Sequence, residues 1–304
     1  MSSAGRIVAV GQDNLGEFLA YCQRYGREHD ESFLPEGDDF ELSQDSLGDP
    51  EYPAYLLLDG EQIAGAACLI RTPNFVRARK GRWMIFHARQ PDPAWYRLLL
   101  DAMLQHAQGL DFLYGFVPEG LQATRAAWEQ IGLTVQRYSY VLCWQQAAPP
   151  PVLLPPGFTF QSVDPEDMGQ MESLRDVLNA SFSGLAGHIG NTVETLSEAF
   201  AETLHLPGGM LLLYDGDRPV GSVRITRDED PQAGFVEMLG VIPAYQGRGL
   251  GRLLIRKSID FSTAQGFPRV LLSVNAENES AVNLYLSEGF QKDTVMVCYQ
   301  RLLK

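Results

Sequence analysis

The sequence lacks any apolar run that could cross a membrane as a helix. No stretch of about 18 or more consecutive apolar residues occurs in it, and a membrane-spanning helix needs roughly 20. The N-terminal stretch, MSSAGRIVAV, also lacks the charged region and the long apolar region of a secretory signal peptide. We therefore expect a cytoplasmic protein with no membrane partner.

Cysteine is scarce, with four residues in the chain. Cys22, Cys68, Cys143 and Cys298 lie far apart and form no CxxC pair. This spacing argues against a zinc site or a disulfide framework, and it favours buried free thiols. The five histidines show no ligand spacing either. We expect no bound metal.

Positive charge is in deficit. The chain has 24 Lys and Arg residues against 38 Asp and Glu residues, which gives a formal net charge of −14. A negative field of this kind disfavours nucleic acid as a partner and attracts small cationic molecules. We expect a small-molecule ligand, with a cationic one favoured, and no nucleic-acid partner. The oligomeric state stays open.

A proline-rich stretch near the midpoint, QQAAPPPVLLPPGF, divides the chain. Proline fixes φ and removes backbone donors, so this stretch predicts an extended linker. Strand and helix patterns recur on its two sides in one order: LLLDGEQIAG (56–65) matches LLYDGDRPVG (212–221). We predict two copies of one α/β domain, residues 1–144 and 158–304, joined by a linker over residues 145–157.

The stretch VIPAYQGRGLGRLLI (241–255) leads from a strand that is apolar on both faces into an amphipathic helix. The first N–H groups of a helix have no intrahelical partner, and the macrodipole places about half a positive charge there. Glycines at 247, 249 and 251 let these groups approach a ligand, and two arginines add charge. The stretch predicts a phosphate site, although a tight turn alone would also need such glycines. It is neither a Walker loop nor a good dinucleotide fingerprint.

Two segments resemble motifs of the GNAT acetyltransferase superfamily. Gln246-x-x-Gly249-x-Gly251 resembles motif A, and VNAENESAVNLYLSEGF (274–290) resembles the family's N-x-x-A-x-x-L-Y-x-x-x-G-F segment. Both motifs lie within residues 158–304, in the order that the family shows. The resemblance implies two tandem GNAT-like domains, each a mixed central sheet flanked by helices.

The resemblance also implies acetyl-CoA as cosubstrate. Its pyrophosphate would lie on the N–H groups at the start of the helix, and its pantetheine would run beside the preceding strand. The residues implied in cofactor binding are Leu239, Gly240, Val241, Gln246, Gly247, Arg248, Gly249, Leu250, Gly251, Arg252, Asn278 and Tyr285.

Two side chains are candidates for proton transfer. Glu237 is a carboxylate in an otherwise apolar strand, where an unpaired charge is costly. It either reaches solvent or an arginine such as Arg224, or it acts as the general base that the resemblance implies, with desolvation tuning its basicity. Tyr285 either packs in the core or is the implied general acid for the leaving thiolate. Asn278 could cap its helix, contact the cofactor, or do both.

The first half carries a degenerate copy of motif A. At an offset of 157 residues, Asp92 falls on Gly249 and Trp128 on Tyr285, while Lys80 falls on Glu237. Pro91 and Pro93 each remove an N–H donor. We therefore predict that this half binds no acetyl-CoA productively.

The resulting hypothesis is an N-acetyltransferase that moves acetyl directly to a primary amine of a small molecule. Direct transfer is favoured because neither half shows a nucleophile elbow or a Cys/His signature. The glycine-rich stretch over residues 181–194 either shapes the acceptor pocket or is an ordinary surface loop. The alternative function is a non-catalytic acetyl-CoA-binding sensor or interaction module.

Overall fold

A similar order of helices and strands occurs twice along the chain. The computed structural model describes residues 5–29, 51–183, 190–202, 204–228 and 232–303. These residues fall into two compact units. The first runs up to Ser139 and also includes the chain from Thr294 onward, and the second is Tyr140–Asp293.

The first unit is built on a mixed sheet in the order β1-β2-β3-β4-β5-β12-β6. From β1 to β4 the neighbouring strands are antiparallel, β4 and β5 are parallel, and β12 pairs antiparallel with β5. The elements are β1 (Arg6–Ala9), α1 (Leu15–His29), β2 (Ala54–Asp59), β3 (Gln62–Ile70), α2 (Pro73–Arg77), β4 (Lys80–Ala88), α3 (Pro93–Leu104), β5 (Phe112–Pro118), α4 (Gln122–Gln130), β6 (Thr134–Trp144) and the final strand β12 (Gln291–Leu302).

The second unit has the strand order β7-β8-β9-β10-β11. Here β10 and β11 are the parallel pair. Its elements are β7 (Phe158–Ser162), α5 (Met168–Phe182), α6 (Val193–Ala201), β8 (His205–Asp215), β9 (Arg218–Arg227), β10 (Ala233–Val241), a short 3-10 turn (Pro243–Tyr245), α7 (Leu250–Ala264), β11 (Arg269–Asn275) and α8 (Glu279–Ser287).

The last strand of the chain lies in the first unit. β12 pairs with β5 over seven residues, from Met296 opposite Pro118 to Leu302 opposite Phe112. The sequence predicted a second domain that runs to residue 304. An apolar alternating pattern identifies a strand but not the strand with which it pairs, so the pairing of β12 could not be predicted from it. The compact units therefore differ from the predicted boundaries at this strand and at Ser139.

Apolar side chains cover both faces of each sheet. In the second unit, one core contains Leu253 and Ile259 of α7, and the other contains Leu174 and Val177 of α5. The first unit repeats this arrangement with α3 and α1. Three of the four cysteines are buried and all four are free thiols, as their spacing predicted. No helix in the described residues is long and apolar enough to cross a membrane.

Candidate active site

Strands β10 and β11 separate where the candidate site begins. Their parallel pairing runs from Ala233 opposite Arg269 to Val236 opposite Leu272. Beyond Val236, β10 continues to pair with β9, up to Val241 opposite Gly221. Among the described residues, the register between β10 and β11 ends at Val236, and no strand partner in β11 is assigned to residues 238–241 of β10.

A β-bulge lies in the same segment. The register with β9 steps from Glu237 opposite Arg224 to Gly240 opposite Ser222, so β10 holds one extra residue. Met238 adopts φ +50° in the bulge, a conformation that is uncommon for a residue with a side chain. Bulges of this kind redirect side chains and are common beside active sites. Leu239, Gly240 and Val241 follow directly, with Gly240 and Val241 buried.

The start of α7 is open to an anion. Gly249 is its N-cap residue at φ +80°, and no side chain caps this end. Gly247 is also left-handed at φ +75°, and residues 246–249 are exposed. Glycine adopts such positive φ angles without steric cost, which explains why both positions are glycine. The uncapped N–H groups of the first turn fit the pyrophosphate of acetyl-CoA.

Some residues of the motif make contacts within the protein. Leu250 is buried in the core. A Cβ on Gly251 would lie 3.3 Å from Leu284 Cδ2, so this glycine allows α8 to approach α7. The Gln246 side chain donates to the Val241 carbonyl at 2.9 Å and closes the loop.

The two arginines differ in their surroundings. Arg248 is exposed, lies over the Tyr245 ring at 4.6 Å and donates to the Ala244 carbonyl. Arg252 is paired with Glu288, whose carboxylate is 2% exposed and also accepts from Arg256 Nε at 2.6 Å. The charge of Arg252 is therefore shared with a carboxylate that the sequence did not single out. The sequence feature that could have indicated this carboxylate is an acidic residue directly after the apolar positions of α8.

Glu237 lies beside Arg224, the arrangement that the sequence left open. Its Oε1 is 2.9 Å from Nη1 of Arg224, and its side chain is 34% exposed against 2% for the arginine. A guanidinium at this distance favours the ionised carboxylate. Arg224 also pairs with Glu202, a residue that no sequence pattern marked.

Tyr285 lies on the buried face of α8. It is buried at 8% exposure in the core beside Phe290, with ring centroids 6.0 Å apart. Burial raises the pKa of its hydroxyl to about 12, so the group keeps its proton at neutral pH. The N-terminus of the same helix is capped by Asn278, whose side chain accepts from the Ala281 N–H at 3.2 Å.

Ser181, near the end of α5, is a residue that the sequence analysis missed. A Cβ on Gly240 would lie 2.7 Å from its Cβ and 3.0 Å from its Oγ. The Oγ is buried and makes no hydrogen bond among the described residues. Such a hydroxyl loses its hydration without compensation until a ligand supplies a partner.

The stretch over residues 181–194 is only partly described, since residues 184–189 lie outside the described residues. On its two sides, Asn191 donates its N–H to Asn179 Oδ1 at 2.7 Å, and Asn179 donates to the Asn191 carbonyl. These bonds connect α5 to the start of α6. Among the described residues, no group of acidic, histidine or cysteine side chains could hold a metal.

Comparison with known proteins identifies the family. Residues 171–290 match the model of the Acetyltransferase (GNAT) family. A mycothiol acetyltransferase of Nocardia farcinica is 34% identical over 271 residues, which is 84% of each chain. The chain belongs to the GNAT acetyltransferase family. It is also 32% identical to a mycothiol acetyltransferase of Thermomonospora curvata over 81% of both chains, in keeping with a two-domain layout similar to that of mycothiol synthase.

Solved structures agree on the GNAT fold. A GCN5-related N-acetyltransferase from Sphaerobacter thermophilus superimposes with a TM-score of 0.69 at 16% identity, covering 98% of this chain and 96% of that one. A tandem GNAT protein from the clavulanic acid biosynthesis pathway gives the same TM-score at 13% identity and covers 98% of both chains. This GNAT protein is therefore an acyltransferase with a tandem fold.

In the first GNAT unit, the helix start that corresponds to the start of α7 is capped by a side chain. Asp92 is the N-cap residue of α3, and its carboxylate accepts from the Ala94 N–H at 2.8 Å. Pro93 is the first helical residue and supplies no N–H. Trp128 is fully buried at the α4 position that matches Tyr285. The offset of 157 therefore holds for both helices.

The predicted match between Lys80 and Glu237 is wrong. Lys80 is opposite Phe112 at the start of the parallel pairing, just as Ala233 is opposite Arg269. The offset in this strand is therefore 153, and buried Met84 stands where the second unit has Glu237. The shift arises because the connection from strand to helix spans residues 242–249 in one unit and residues 89–92 in the other.

Proposed function

We propose that the second unit transfers acetyl from acetyl-CoA to a primary amine of a small molecule. The observation that carries this proposal is the uncapped start of α7, which follows β10 after a short connection. A helix N-terminus without a capping side chain, close in the chain to a strand that separates from its parallel neighbour beyond Val236, suits a long ligand with a pyrophosphate at one end. Acetyl-CoA supplies the acetyl group as a thioester.

The backbone would hold the cosubstrate along this path. The N–H groups of residues 246–252 would bind the pyrophosphate, with Arg248 adding positive charge. The edge of β10 at Leu239, Gly240 and Val241 would bind the pantetheine amides as a further strand would, and Asn278 would contact the cofactor at the start of α8. The buried Ser181 hydroxyl beside Gly240 gains its missing partner when a ligand occupies this edge.

The two candidate side chains then divide the proton transfers. Glu237 is partly exposed and its carboxylate pairs with Arg224, so it can attract an ammonium group and take its proton, directly or through water. Tyr285 keeps its hydroxyl proton because burial raises its pKa to about 12, and it can donate to the departing sulfur. Both act in a direct transfer without an acyl-enzyme.

The first unit would bind no acetyl-CoA. The carboxylate of Asp92 already accepts from the N–H that a phosphate would need, and it would repel that phosphate. We therefore expect one CoA for each chain. This unit would support the second unit or bind a ligand of its own.

The testing experiment measures CoA release with a panel of amines, polyamines, aminoglycosides and peptide N-termini. Because two relatives are mycothiol acetyltransferases, the panel includes mycothiol that lacks its acetyl group. Amine-dependent release at one CoA site supports the proposal. Tight CoA binding without turnover on any amine would favour the alternative, a sensor or interaction module.

A further inference from the structure

One buried arginine in the second unit is shared by two carboxylates. The Arg224 guanidinium donates to the Ala199 carbonyl at 2.7 Å, lies 2.9 Å from Glu237 Oε1, and also contacts Glu202 Oε2. Arg224 comes from β9, Glu237 from the adjacent β10, and Glu202 from the end of α6. The guanidinium is 2% exposed, whereas Glu202 is 22% exposed.

The remaining surroundings add little charge. From α5, Leu178 and Phe182 pack in the apolar cluster that contains Met238. That helix has three charged residues: Arg175 and Asp176 pair with one another, and Glu172 is exposed. A further titratable group close in the chain is His205 on β8, whose backbone N–H donates to the Glu202 carbonyl at 3.0 Å. Burial lowers the pKa of this imidazole, which favours its neutral form.

The second carboxylate matters for the charge balance around Arg224 when Glu237 is protonated. When Glu237 takes a proton it no longer neutralises Arg224, and a buried guanidinium without a counter-ion is strongly unfavourable. Glu202 remains ionised on the other side of the same guanidinium. The cluster therefore keeps a counter-ion for Arg224 both before and after the transfer.

We propose that Arg224 positions Glu237 and that Glu202 is the permanent counter-ion that leaves Glu237 free to accept a proton. The proposal rests on the function proposed above, in which Glu237 is the base. In the step, an N–H bond of the acceptor ammonium breaks, its electron pair stays on nitrogen, and the proton forms an O–H bond on Glu237. The carboxylate of Glu202 stays charged throughout.

The test is a carbon-13 NMR titration of the side-chain carboxyls of the full chain, with the Glu237 signal assigned by its loss in Glu237→Gln. Removing a nearby negative charge makes a carboxylate harder to protonate. Glu202→Gln should therefore lower the titration midpoint of Glu237 by about one pH unit, a tenfold weaker proton affinity. Arg224→Gln should raise the midpoint, and Arg224→Lys should return it toward the wild-type value.

The matched control is Glu198→Gln, an exposed glutamate of the same helix α6, which should leave the midpoint unchanged. Glu202→Gln keeps the pair between Arg224 and Glu237, so it tests the proposal even where Arg224 variants do not fold. A midpoint in Glu202→Gln equal to that of the control would overturn the proposal.

A kinetic measurement separates this inference from the function on which it rests. With an active amine, the acid limb of kcat/KM in Glu202→Gln should move down with the NMR midpoint, while KM for acetyl-CoA stays constant. Wild-type protein that transfers acetyl to no amine, with the NMR shifts as expected, would overturn the proposed function and support the charge network. An unmoved acid limb in an active enzyme would overturn the role of Glu202.

Discussion

Asp92 and Gly249 occupy the same place in the two units, each as the N-cap residue of the helix after the bulged strand. Gly249 leaves the first N–H groups of α7 without a side-chain partner, whereas Asp92 satisfies one N–H of α3 with its own carboxylate. One side chain thus distinguishes an open anion site from a closed one.

Introducing this difference into the second unit tests the site. Gly249→Asp should lower acetyl-CoA affinity at least tenfold, about 1.4 kcal/mol, because the carboxylate would cap the helix and repel the pyrophosphate. Isothermal titration calorimetry gives the affinity and the stoichiometry. The control is Gly249→Asn, since both residues tolerate a left-handed backbone and only one is charged. Equal affinities in the two variants would remove charge repulsion from the explanation.

Tyr285→Phe separates an enzyme from a binding module. The phenyl ring keeps its packing beside Phe290, so acetyl-CoA affinity and thermal stability should stay close to wild type. Turnover should fall by roughly 10²–10⁴-fold, the usual share of a positioned proton donor. Full turnover with an established acceptor would show that the hydroxyl serves only as part of the core.

The same hydroxyl predicts a pH dependence. Because burial raises the pKa of Tyr285 to about 12, the phenol holds its proton at every pH well below that value. The ratio of wild-type to Tyr285→Phe turnover should therefore stay constant from about pH 7 to about pH 10, because this range lies below the pKa of the buried phenol. Paired rate measurements across this range check it. A ratio that declines near pH 8 would mean a far more acidic phenol.

Ser181→Ala tests the unpaired hydroxyl beside Gly240. Removal of a buried group that makes no hydrogen bond to the described residues should leave the free energy of unfolding unchanged or slightly raised. KM for acetyl-CoA or for the acceptor should rise severalfold, because the ligand loses a partner. The control is Ser183→Ala, an exposed serine two residues along whose hydroxyl donates to Ala180. Unchanged kinetics in Ser181→Ala would exclude contact with either ligand.

Glu288→Gln tests how α8 is joined to the start of α7. The change leaves Arg252 and Arg256 without their shared carboxylate. It should destabilise the fold by about 1–3 kcal/mol, because hydrogen bonds between charged groups are lost. The cost stays in this range because both arginines keep part of their hydration. Urea unfolding measures the difference. Glu277→Gln, an exposed glutamate before α8, is the control and should lie within about 0.5 kcal/mol of wild type. Equal stability of both variants would make the ion pairs energetically neutral.

Local sequence determined the elements that bear the site. Glycine at 249 and aspartate at 92 marked two helix starts, since cap positions depend on a single residue and its immediate neighbours. The period of the apolar positions placed Tyr285 and Trp128 on the buried faces of their helices. The motif resemblance then indicated the family, which the relatives establish.

Tertiary structure alone decided which strands and charges meet. The register of β4 put Met84, and not Lys80, in the place of Glu237, because hydrogen bonds between strands fix register and the helix offset does not. The pairing of β12 with β5, and the shared contact of Glu202 and Glu237 with Arg224, join residues far apart in the chain. Local propensity contains no information about such partners, since pairing and burial are properties of the folded chain.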